Sequence, residues 1–333
     1  MKITVLGAGS WGTALAMTAE KNGHLVSLWT HDSEEAKTMD EGRKCKNLPE
    51  IRIPDTIRIL SSLEEAVKDA ELLIFAIPSI YTREMAMRVK PYAGKEQILL
   101  TVSKGIEEKT LLTMSEILEE VFPENRVAVL SGPSHAEEVS RFIPTTIVCA
   151  SKEEETAKII QNAFLSDSFR VYTNKDIRGV EIGAALKNVI ALAAGIADGL
   201  GYGDNTMAAL ITRGIAEISR LGMAMGCHRE TFAGLSGIGD LIVTCVSKHS
   251  RNRRAGILIG KGERYEDAMK EVGQVVEGVY AAKAAKALGE KYRVELPIVK
   301  EVNAILFEGK EPKDAVSELM LRDRRSENPA VAF

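Results

Sequence analysis

The pattern of apolar and polar positions changes about halfway along the chain. Up to about residue 174, short β-rich apolar runs alternate with stretches whose apolar positions have helical spacing. Such alternation is typical of a mostly parallel, doubly wound sheet with helices on its faces. Beyond that point the β-rich runs stop and only helical patterns follow. We therefore predict two domains, an α/β domain over residues 1–178 and an all-α domain over residues 179–333.

The first domain contains a series of predicted strands bounded by turn-forming residues. They are Ile3–Leu6, Leu25–Trp29, Ile57–Leu60, Leu72–Ile77, Gln97–Val102, Arg126–Leu130, Thr145–Ala150 and Phe169–Tyr172. Ligands of such sheets bind beyond the carboxyl ends of the strands. Pro78-Ser79, Ser103-Lys104 and Gly132–Ser134 lie at such ends, whereas Arg43–Pro49 is predicted to be an irregular surface loop. Among these residues Lys104 is a functional candidate, because it is a solitary cation after a buried strand; the alternative is a solvated loop lysine.

Gly7-Ala-Gly-Ser-Trp-Gly12 lies between the first strand and an Ala-rich helix over Thr13–Lys21. In a turn of this kind Gly7 allows the tight turn, Gly9 lets a pyrophosphate approach the backbone, and Gly12 lets helix and strand pack closely. The helix N-terminus offers free N–H groups to the phosphate oxygens. Because a second strand follows on schedule, the motif predicts a Rossmann-type dinucleotide site. The alternative is an ordinary glycine-rich turn.

The end of the second strand, Thr30-His31-Asp32, is the place where such sites read the ribose of the dinucleotide. An acidic residue there favours a free 2′-hydroxyl, and a basic residue favours a 2′-phosphate. His31 could meet a phosphate and Asp32 could meet a hydroxyl. The sequence therefore leaves the choice between NADH and NADPH open.

The second domain opens on a helix, Glu181–Asp198, that is apolar almost all the way round. Such a helix is buried inside a protein, and Lys187, Asn188 and Asp198 interrupt it too often for a membrane span. Burial disfavours the ammonium form of a lysine and lowers its pKa, which makes Lys187 a candidate general base near neutral pH. The alternative is a lysine whose ammonium reaches the surface along its own methylene stem.

Two later stretches of the helical domain carry further candidate chemistry. Gly237–Cys245 is rich in small residues and places one carboxylate, Asp240, among apolar neighbours. Lys248–Arg254 is a dense basic cluster. Its Ser, Arg and Asn side chains could surround one phosphate. A solvated charged face and a nucleic-acid patch are the alternatives.

Composition and charge narrow the class of protein. The chain has 333 residues and a net charge of −4, which argues against a polyanion binder. Its four cysteines form neither a CxxC pair nor a zinc spacing, which suits a reducing cytosol. The N-terminus resembles a signal peptide only faintly, because glycines break its apolar run.

Six motifs appear in the order in which they occur in the bacterial NAD(P)-dependent sn-glycerol-3-phosphate dehydrogenases, and the resemblance runs from Met1 to about Pro297. They are Gly7–Gly12, Ser103–Gly105, Ser131–Ala136, Glu181–Asn188, Gly237–Asp240 and Ser250–Arg253. The resemblance implies oxidation of glycerol 3-phosphate at C2, or reduction of dihydroxyacetone phosphate, with NAD(P)H. It also implies that the product feeds glycerophospholipid synthesis, and that the enzyme is a cytoplasmic homodimer without metal, nucleic acid or a membrane span.

The resemblance implies roles for individual residues as well. The catalytic group would be Lys187, as the proton acceptor, with Lys104 and Asp240. The substrate would be held by Lys104, Gly132, Ser134, Lys187, Asp240, Thr244, Ser250, Arg251 and Asn252. The cofactor site would contain Gly7, Gly9, Ser10, Trp11, Gly12, His31, Lys104, Ala136, Arg251, Val275 and Glu277. Many members have Arg where this chain has His31, which puts the preference for NADP in doubt and not the reaction.

Two alternative functions remain open at the level of sequence. One is a dehydrogenase of the same architecture that acts on a hydroxy acid, of the 6-phosphogluconate or ketopantoate type. Such an enzyme would have no catalytic need for the Ser250–Asn252 cluster. The other is a non-catalytic NAD(P) sensor, which would bind the dinucleotide without turning over any substrate.

Overall fold

A computed structural model describes residues 1–324, 326 and 327. Arg325 and residues 328–333, which end the second predicted domain, lie outside the described residues. The described chain forms an α/β half followed by a helical half. The predicted fold class is confirmed.

The first half contains ten strands, seven α-helices and one 3₁₀ helix, Ser79–Tyr81, within the described residues. The strands are β1 Lys2–Leu6, β2 Leu25–Trp29, β3 Lys44–Cys45, β4 Leu48–Arg52, β5 Arg58–Leu60, β6 Leu72–Phe75, β7 Ile98–Thr101, β8 Arg126–Ser131, β9 Thr145–Ser151 and β10 Phe169–Asn174. The helices are α1 Ser10–Lys21, α2 Ser33–Gly42, α3 Leu63–Lys68, α4 Thr82–Val89, α5 Met114–Val121, α6 Ala136–Val139 and α7 Glu154–Phe164. Every predicted strand is present, with ends that differ by a few residues.

The main sheet has the order β10-β9-β8-β7-β6-β1-β2-β5. All neighbours are parallel except β8 and β9, which pair antiparallel. Along the chain, β2 and then β5 are added on one side of β1, and β6 pairs with the other side of β1. The carboxyl ends of β1 and β6 therefore form the crevice in which a doubly wound sheet binds its ligand.

The prediction that Arg43–Pro49 is an irregular loop is wrong in part. The segment contributes to a small antiparallel sheet in which β3 pairs with β4. Only Cys45 and Leu48 of this stretch are buried. Two short strands with one buried side chain each show too little alternation to be recognised from the sequence.

The second half is helical throughout the described residues. Its helices are α8 Ile177–Gly199, α9 Asp204–Ala224, α10 Arg229–Phe232, α11 Asp240–Val246, α12 Arg251–Gly260, α13 Tyr265–Val272, α14 Glu277–Tyr292, α15 Pro297–Phe307 and α16 Pro312–Met320. Helix α8 is long and apolar enough to cross a membrane, but α9, α11, α12 and α14 surround it and bury almost all of its surface. It is the centre of the helical core, as its apolar pattern predicted.

Helices α8 and α12 approach each other closely through glycines. A Cβ added at Gly195 would lie 2.2 Å from the carbonyl oxygen of Arg253, and one added at Gly256 would lie 2.2 Å from that of Leu192. Side chains at these positions would force the two backbones apart. An ion pair between Arg253 and Asp198, with a distance of 2.5 Å, joins the same two helices. The N-terminal part of α12 is thereby fixed relative to the C-terminal part of α8.

Candidate active site

A cleft of about 460 Å³ lies between the carboxyl edge of the sheet and the helical half. It is lined by residues of both halves that are far apart in the sequence. The predicted site residues that line it are Gly9, Ser10, Trp11, Gly12, Lys104, Ser134, Ala136, Lys187, Asp240, Thr244, Ser250, Arg251, Asn252, Val275 and Glu277. The structure thus brings most of the predicted site together in one place.

Three predicted site residues lie outside the cleft lining. Gly7 and Gly132 adopt positive φ angles of 118° and 138°, which favour glycine, and shape the turns beneath the cleft. The carbonyl oxygen of Gly132 accepts hydrogen bonds from Lys104 and Ser134, each at 3.0 Å. His31 is an exposed residue after β2.

Asp32, which follows His31, has a structural role at the start of α2. One carboxylate oxygen of Asp32 accepts hydrogen bonds from the backbone N–H groups of Glu34 and Glu35, at 2.9 and 3.2 Å. Asp32 is therefore the N-cap of α2. This cap weakens the expectation that Asp32 reads the ribose hydroxyl.

The turn between β1 and α1 is shaped to accept a dinucleotide. A Cβ at Gly12 would lie 1.9 Å from the carbonyl oxygen of Gly7, so the start of α1 can pack this closely against the turn only with glycine at this position. A Cβ at Gly9 would meet nothing within 4 Å, because this position faces open space in the cleft. No acidic residue occupies the first turn of α1. The N-terminus of α1 therefore fits an anionic pyrophosphate.

Two lysines share one buried carboxylate in the wall of the cleft. The Nζ atom of Lys187, from the middle of α8, donates to Oδ1 of Asp240 at 2.7 Å. The Nζ atom of Lys104, from the loop after β7, donates to Oδ2 of the same carboxylate at 2.7 Å. Asp240 is the first residue of α11 and is almost fully buried. One charge therefore orients two ammonium groups toward the cleft.

Lys187 does not reach the protein surface along its own stem. The side chain is buried, and its ammonium also donates to Oγ1 of Thr244 at 2.6 Å. That hydroxyl in turn donates to the backbone carbonyl of Asp240 at 2.6 Å. Two of the three protons of a charged Lys187 are thus directed at protein atoms, and the third is left for a ligand in the cleft.

The surroundings of Lys187 and Asp240 shift the pKa values of both groups. Burial, which disfavours the ammonium, lowers the pKa of Lys187 to about 8, and the positive charge of Lys104 acts in the same direction while Asp240 opposes it. Burial alone would raise the pKa of Asp240, but the two lysines outweigh it and hold that pKa below its ordinary value. Lys187 can therefore exchange a proton near neutral pH while Asp240 stays ionised.

The basic cluster lies at the N-terminus of α12. The hydroxyl of Ser250 accepts from the backbone N–H of Arg253 at 3.2 Å and caps the helix. Arg251 is exposed at the cleft. Asn252 is buried and donates to Oδ1 of Asn188 at 2.9 Å, while its own oxygen accepts from the N–H of Gly278 at 2.8 Å. Helix N-terminus and guanidinium together suit a phosphate.

Several residues that line the cleft were given no site role from the sequence; they include Asn47, Ala76, Ile77, His135, Glu137 and Gln274. The cleft is also lined by Pro78, from a predicted strand end, and by Lys248, His249 and Arg254, from the predicted basic cluster. Asn47 belongs to the segment predicted to be a surface loop, and its side chain accepts from Gln274 at 3.4 Å. Only the pairing of β3 with β4 brings it there. The sequence could not show that His135 lies near Lys187. Burial lowers the pKa of His135 most, and the positive charge of Lys187 lowers it further.

No group of three or more His, Cys, Asp or Glu side chains suited to a metal ion was found among residues 1–324, 326 and 327. The side chains that line the cleft carry ammonium, guanidinium, imidazole, carboxylate, hydroxyl and amide groups.

Comparison with known proteins agrees with this arrangement. Residues 2–157 match the N-terminal family model of the NAD-dependent glycerol-3-phosphate dehydrogenases, and residues 176–317 match the C-terminal one. The glycerol-3-phosphate dehydrogenase [NAD(P)+] of Agathobacter rectalis is 53% identical over 100% of this chain and 99% of its own length. That of Bacillus subtilis is 50% identical over 98% and 96%.

A solved structure gives the same result. The crystal structure of glycerol-3-phosphate dehydrogenase from Coxiella burnetii is similar with a TM-score of 0.93 and 36% identity, covering 96% of this chain and 99% of that one. Both halves of the chain are therefore shared with these proteins. The chain belongs to the NAD-dependent glycerol-3-phosphate dehydrogenase family.

Proposed function

We propose that the protein interconverts sn-glycerol 3-phosphate and dihydroxyacetone phosphate with NAD(P)H, and that Lys187 moves the proton. The observation that carries the proposal is the position of Lys187. Its buried ammonium shares a carboxylate with Lys104 in the wall of a cleft that also contains a glycine-rich turn and an arginine at a helix N-terminus. An acid–base group, a dinucleotide cradle and a phosphate clamp are the three parts that this reaction needs.

The proton step follows from the hydrogen bonds of Lys187. The bound nicotinamide would accept a hydride from C2 of the alcohol or supply one to the carbonyl carbon of the ketone. In oxidation, neutral Lys187 takes the proton of the C2 hydroxyl; in reduction, its ammonium returns that proton. Asp240 and Thr244 hold the Nζ atom in one direction throughout, which keeps it aligned for transfer.

Lys104 would have two effects on this step. Its positive charge favours the neutral form of Lys187, and so supports the base. Because its Nζ atom lies on the other oxygen of Asp240 and is partly exposed to the cleft, it can also stabilise negative charge that develops on the substrate oxygen.

The phosphate of the substrate would bind at the N-terminus of α12. Arg251 would form charge-assisted hydrogen bonds to it, and Ser250 and Asn252 would shape the first turn of the helix. The glycine contacts between α8 and α12 fix the distance from this clamp to Lys187. The carbon to be oxidised or reduced is thereby placed beside the base.

The test is an assay of the purified protein with dihydroxyacetone phosphate and each reduced cofactor, followed by the absorbance of the reduced nicotinamide. We expect oxidation of NADH, NADPH or both that depends on the phosphorylated ketone. Dinucleotide binding without turnover would favour the sensor. Turnover of a hydroxy acid or its keto acid with no response to dihydroxyacetone phosphate would favour the alternative dehydrogenase.

We propose in addition that the protein is a cytoplasmic homodimer whose product feeds glycerophospholipid synthesis, as the resemblance implies. The predicted division into residues 1–178 and 179–333 also remains a proposal. It is supported by the start of α8 at Ile177, where the strands have ended. Separate expression of the two segments, with NADH binding by the first alone, tests the boundary.

A further inference from the structure

The carboxylate of Glu35 lies at the carboxyl end of β2, although Glu35 itself belongs to the first turn of α2. The hydroxyl of Thr30, the residue that follows β2, donates to Oε2 of Glu35. Thr30 is almost fully buried, and its backbone N–H donates to the carbonyl oxygen of Leu60 at 3.0 Å. Glu35 is therefore held against the strand end by an anchored residue.

This contact does not cap the helix that carries Glu35. A glutamate three residues after an N-cap commonly accepts from the backbone N–H of the N-cap residue. Asp32 is the N-cap of α2, yet the carboxylate of Glu35 reaches past it to Thr30. Oε1 of Glu35 has no hydrogen-bond partner among the residues that the structure describes. Glu35 therefore offers a free acceptor at the strand end, whereas Asp32 is occupied by its cap.

The strand end is joined to the glycine-rich turn. The backbone N–H of Gly7 donates to the carbonyl oxygen of Trp29 at 2.9 Å, and Trp29 directly precedes Thr30. In a Rossmann-type site the pyrophosphate binds at the turn and the adenosine ribose at the end of the second strand. Like His31, Glu35 lies outside the lining of the cleft, as expected for a residue that meets the adenosine half of a dinucleotide.

A carboxylate in this place distinguishes two cofactors by charge. Its oxygens accept hydrogen bonds from the ribose hydroxyls of NADH, whereas the 2′-phosphate of NADPH would place like charge beside them. Glu35 is half-buried, so solvent and salt screen its charge less than that of the exposed Glu34. His31, which is exposed after β2, would have the opposite preference.

We propose that Glu35 is a specificity residue for the cofactor, which binds the ribose hydroxyls of NADH and disfavours the 2′-phosphate of NADPH, and that Thr30 positions it. The inference rests on the proposed function for the identity of the ligand as a nicotinamide dinucleotide. It adds a discriminating residue beside His31 and leaves the contacts of His31 with the cofactor in place.

The test measures the Kd for NADH and for NADPH by fluorescence titration without substrate, in wild type and in Glu35→Gln. The substitution keeps the size of the side chain and removes its charge. We expect the Kd for NADPH to fall, because the like charge beside the 2′-phosphate is gone, and the Kd for NADH to rise, because the ribose hydroxyls lose a charged acceptor. The ratio of the Kd for NADPH to the Kd for NADH should fall by about tenfold or more.

Glu34→Gln is the matched control. Glu34 lies in the same turn and loses the same charge, but it is exposed and Thr30 donates to Glu35 and not to it. We expect the ratio to change by less than about twofold, since solvent and salt screen an exposed charge. An unchanged ratio in Glu35→Gln, an equal rise of both Kd values in that variant, or an equal fall of the ratio in Glu34→Gln would each overturn the proposal.

Thr30→Val tests the positioning of the carboxylate. Valine keeps the shape of the buried side chain and the backbone bond to Leu60, and removes the hydroxyl that holds Glu35. We expect the ratio to fall in this variant as well, by less than in Glu35→Gln because the charge stays nearby. The double substitution should give the ratio of Glu35→Gln alone. A wild-type ratio in Thr30→Val would contradict the position assigned to Glu35.

The outcome is separable from that of the proposed function, because the Kd values need no turnover. A wild-type protein that binds NADH but leaves dihydroxyacetone phosphate unchanged would contradict the reaction, and the ratio would still decide the role of Glu35. A protein that reduces dihydroxyacetone phosphate and keeps its ratio in Glu35→Gln would contradict this inference alone.

Discussion

At the scale of single residues, the account depends on one carboxylate shared by two lysines. The sequence pointed to Lys187, Lys104 and Asp240 separately, and the apolar surroundings of Lys187 indicated its lowered pKa. It could not show that Asp240 bonds to both lysines, because Lys187 lies 53 positions and Lys104 lies 136 positions from Asp240 in the chain. Contacts over such separations depend on how the halves dock, and no local pattern contains them.

The shared carboxylate predicts how the pH dependence of the reaction changes in Asp240→Asn. Reduction needs the ammonium form of Lys187, so wild-type kcat should fall as the pH rises through about 8. Asp240 favours that ammonium, and its loss should move the fall to lower pH. Lys104→Met removes a repelling charge and should move it to higher pH. The measurement is kcat for dihydroxyacetone phosphate reduction between about pH 6 and pH 10; shifts in the opposite directions would contradict the assignment.

Arg251→Ala tests the phosphate clamp. A guanidinium matches the geometry of a phosphate and has no comparable partner in an uncharged hydroxyl. We expect kcat/KM to fall by about 10²-fold or more for dihydroxyacetone phosphate, as for loss of a charge-assisted pair, and to change little for unphosphorylated dihydroxyacetone. Lys261→Ala, at the exposed far end of α12, is the control. Equal losses for both substrates would mean that Arg251 serves the fold or the cofactor.

At the scale of elements, the sequence predicted the strands of the main sheet and the buried helix α8 well. These elements are continuous apolar runs, and such a run can be recognised as buried from its own residues alone. It did not predict that β9 runs antiparallel to β8, because a strand buried on both faces has the same apolar pattern in either direction. The β3–β4 pair was missed because its strands are short, and Asn47 was missed with it.

The close contact of α8 with α12 predicts the effect of Gly256→Ala. The added methyl would lie 2.2 Å from a backbone oxygen of α8, so the two helices must separate. We expect a loss of about 1–3 kcal/mol in the free energy of unfolding, typical of an overpacked contact. Because the phosphate clamp moves with α12, the KM for dihydroxyacetone phosphate should rise as well. Gly42→Ala in α2, where nothing lies within 4 Å, is the control; a stable Gly256→Ala with normal KM would show that this contact does not position the clamp.

At the scale of the whole molecule, the two halves are held together by buried polar groups as well as by apolar packing. Glu181 on α8 accepts two hydrogen bonds from Ser115 at the start of α5. Burial raises the pKa of Glu181 to about 7, although the bonds from Ser115 oppose this. We therefore expect the stability of the junction between the halves to depend on pH.

This sensitivity predicts a change in stability with pH. A carboxyl whose pKa is raised in the folded state binds a proton more tightly there than in the unfolded chain. Its contribution to stability is therefore fully present below about pH 4.5 and is lost as the pH rises through about 7. Glu181→Gln should flatten the decline of Tm between pH 5 and pH 8, and the exposed Glu50→Gln should not. A decline that is as steep in Glu181→Gln as in wild type would contradict the role of this group.

The most direct test of the account is the turnover of Lys187→Ala. The shortened side chain removes the proton donor and acceptor but leaves the glycine-rich turn and the clamp at α12 in place. We predict that NADH binds as in wild type, while kcat for dihydroxyacetone phosphate reduction falls by about 10²–10⁴-fold, the usual contribution of a general acid–base group. A correctly folded Lys187→Ala protein with kcat close to that of wild type would contradict the central claim that Lys187 moves the proton.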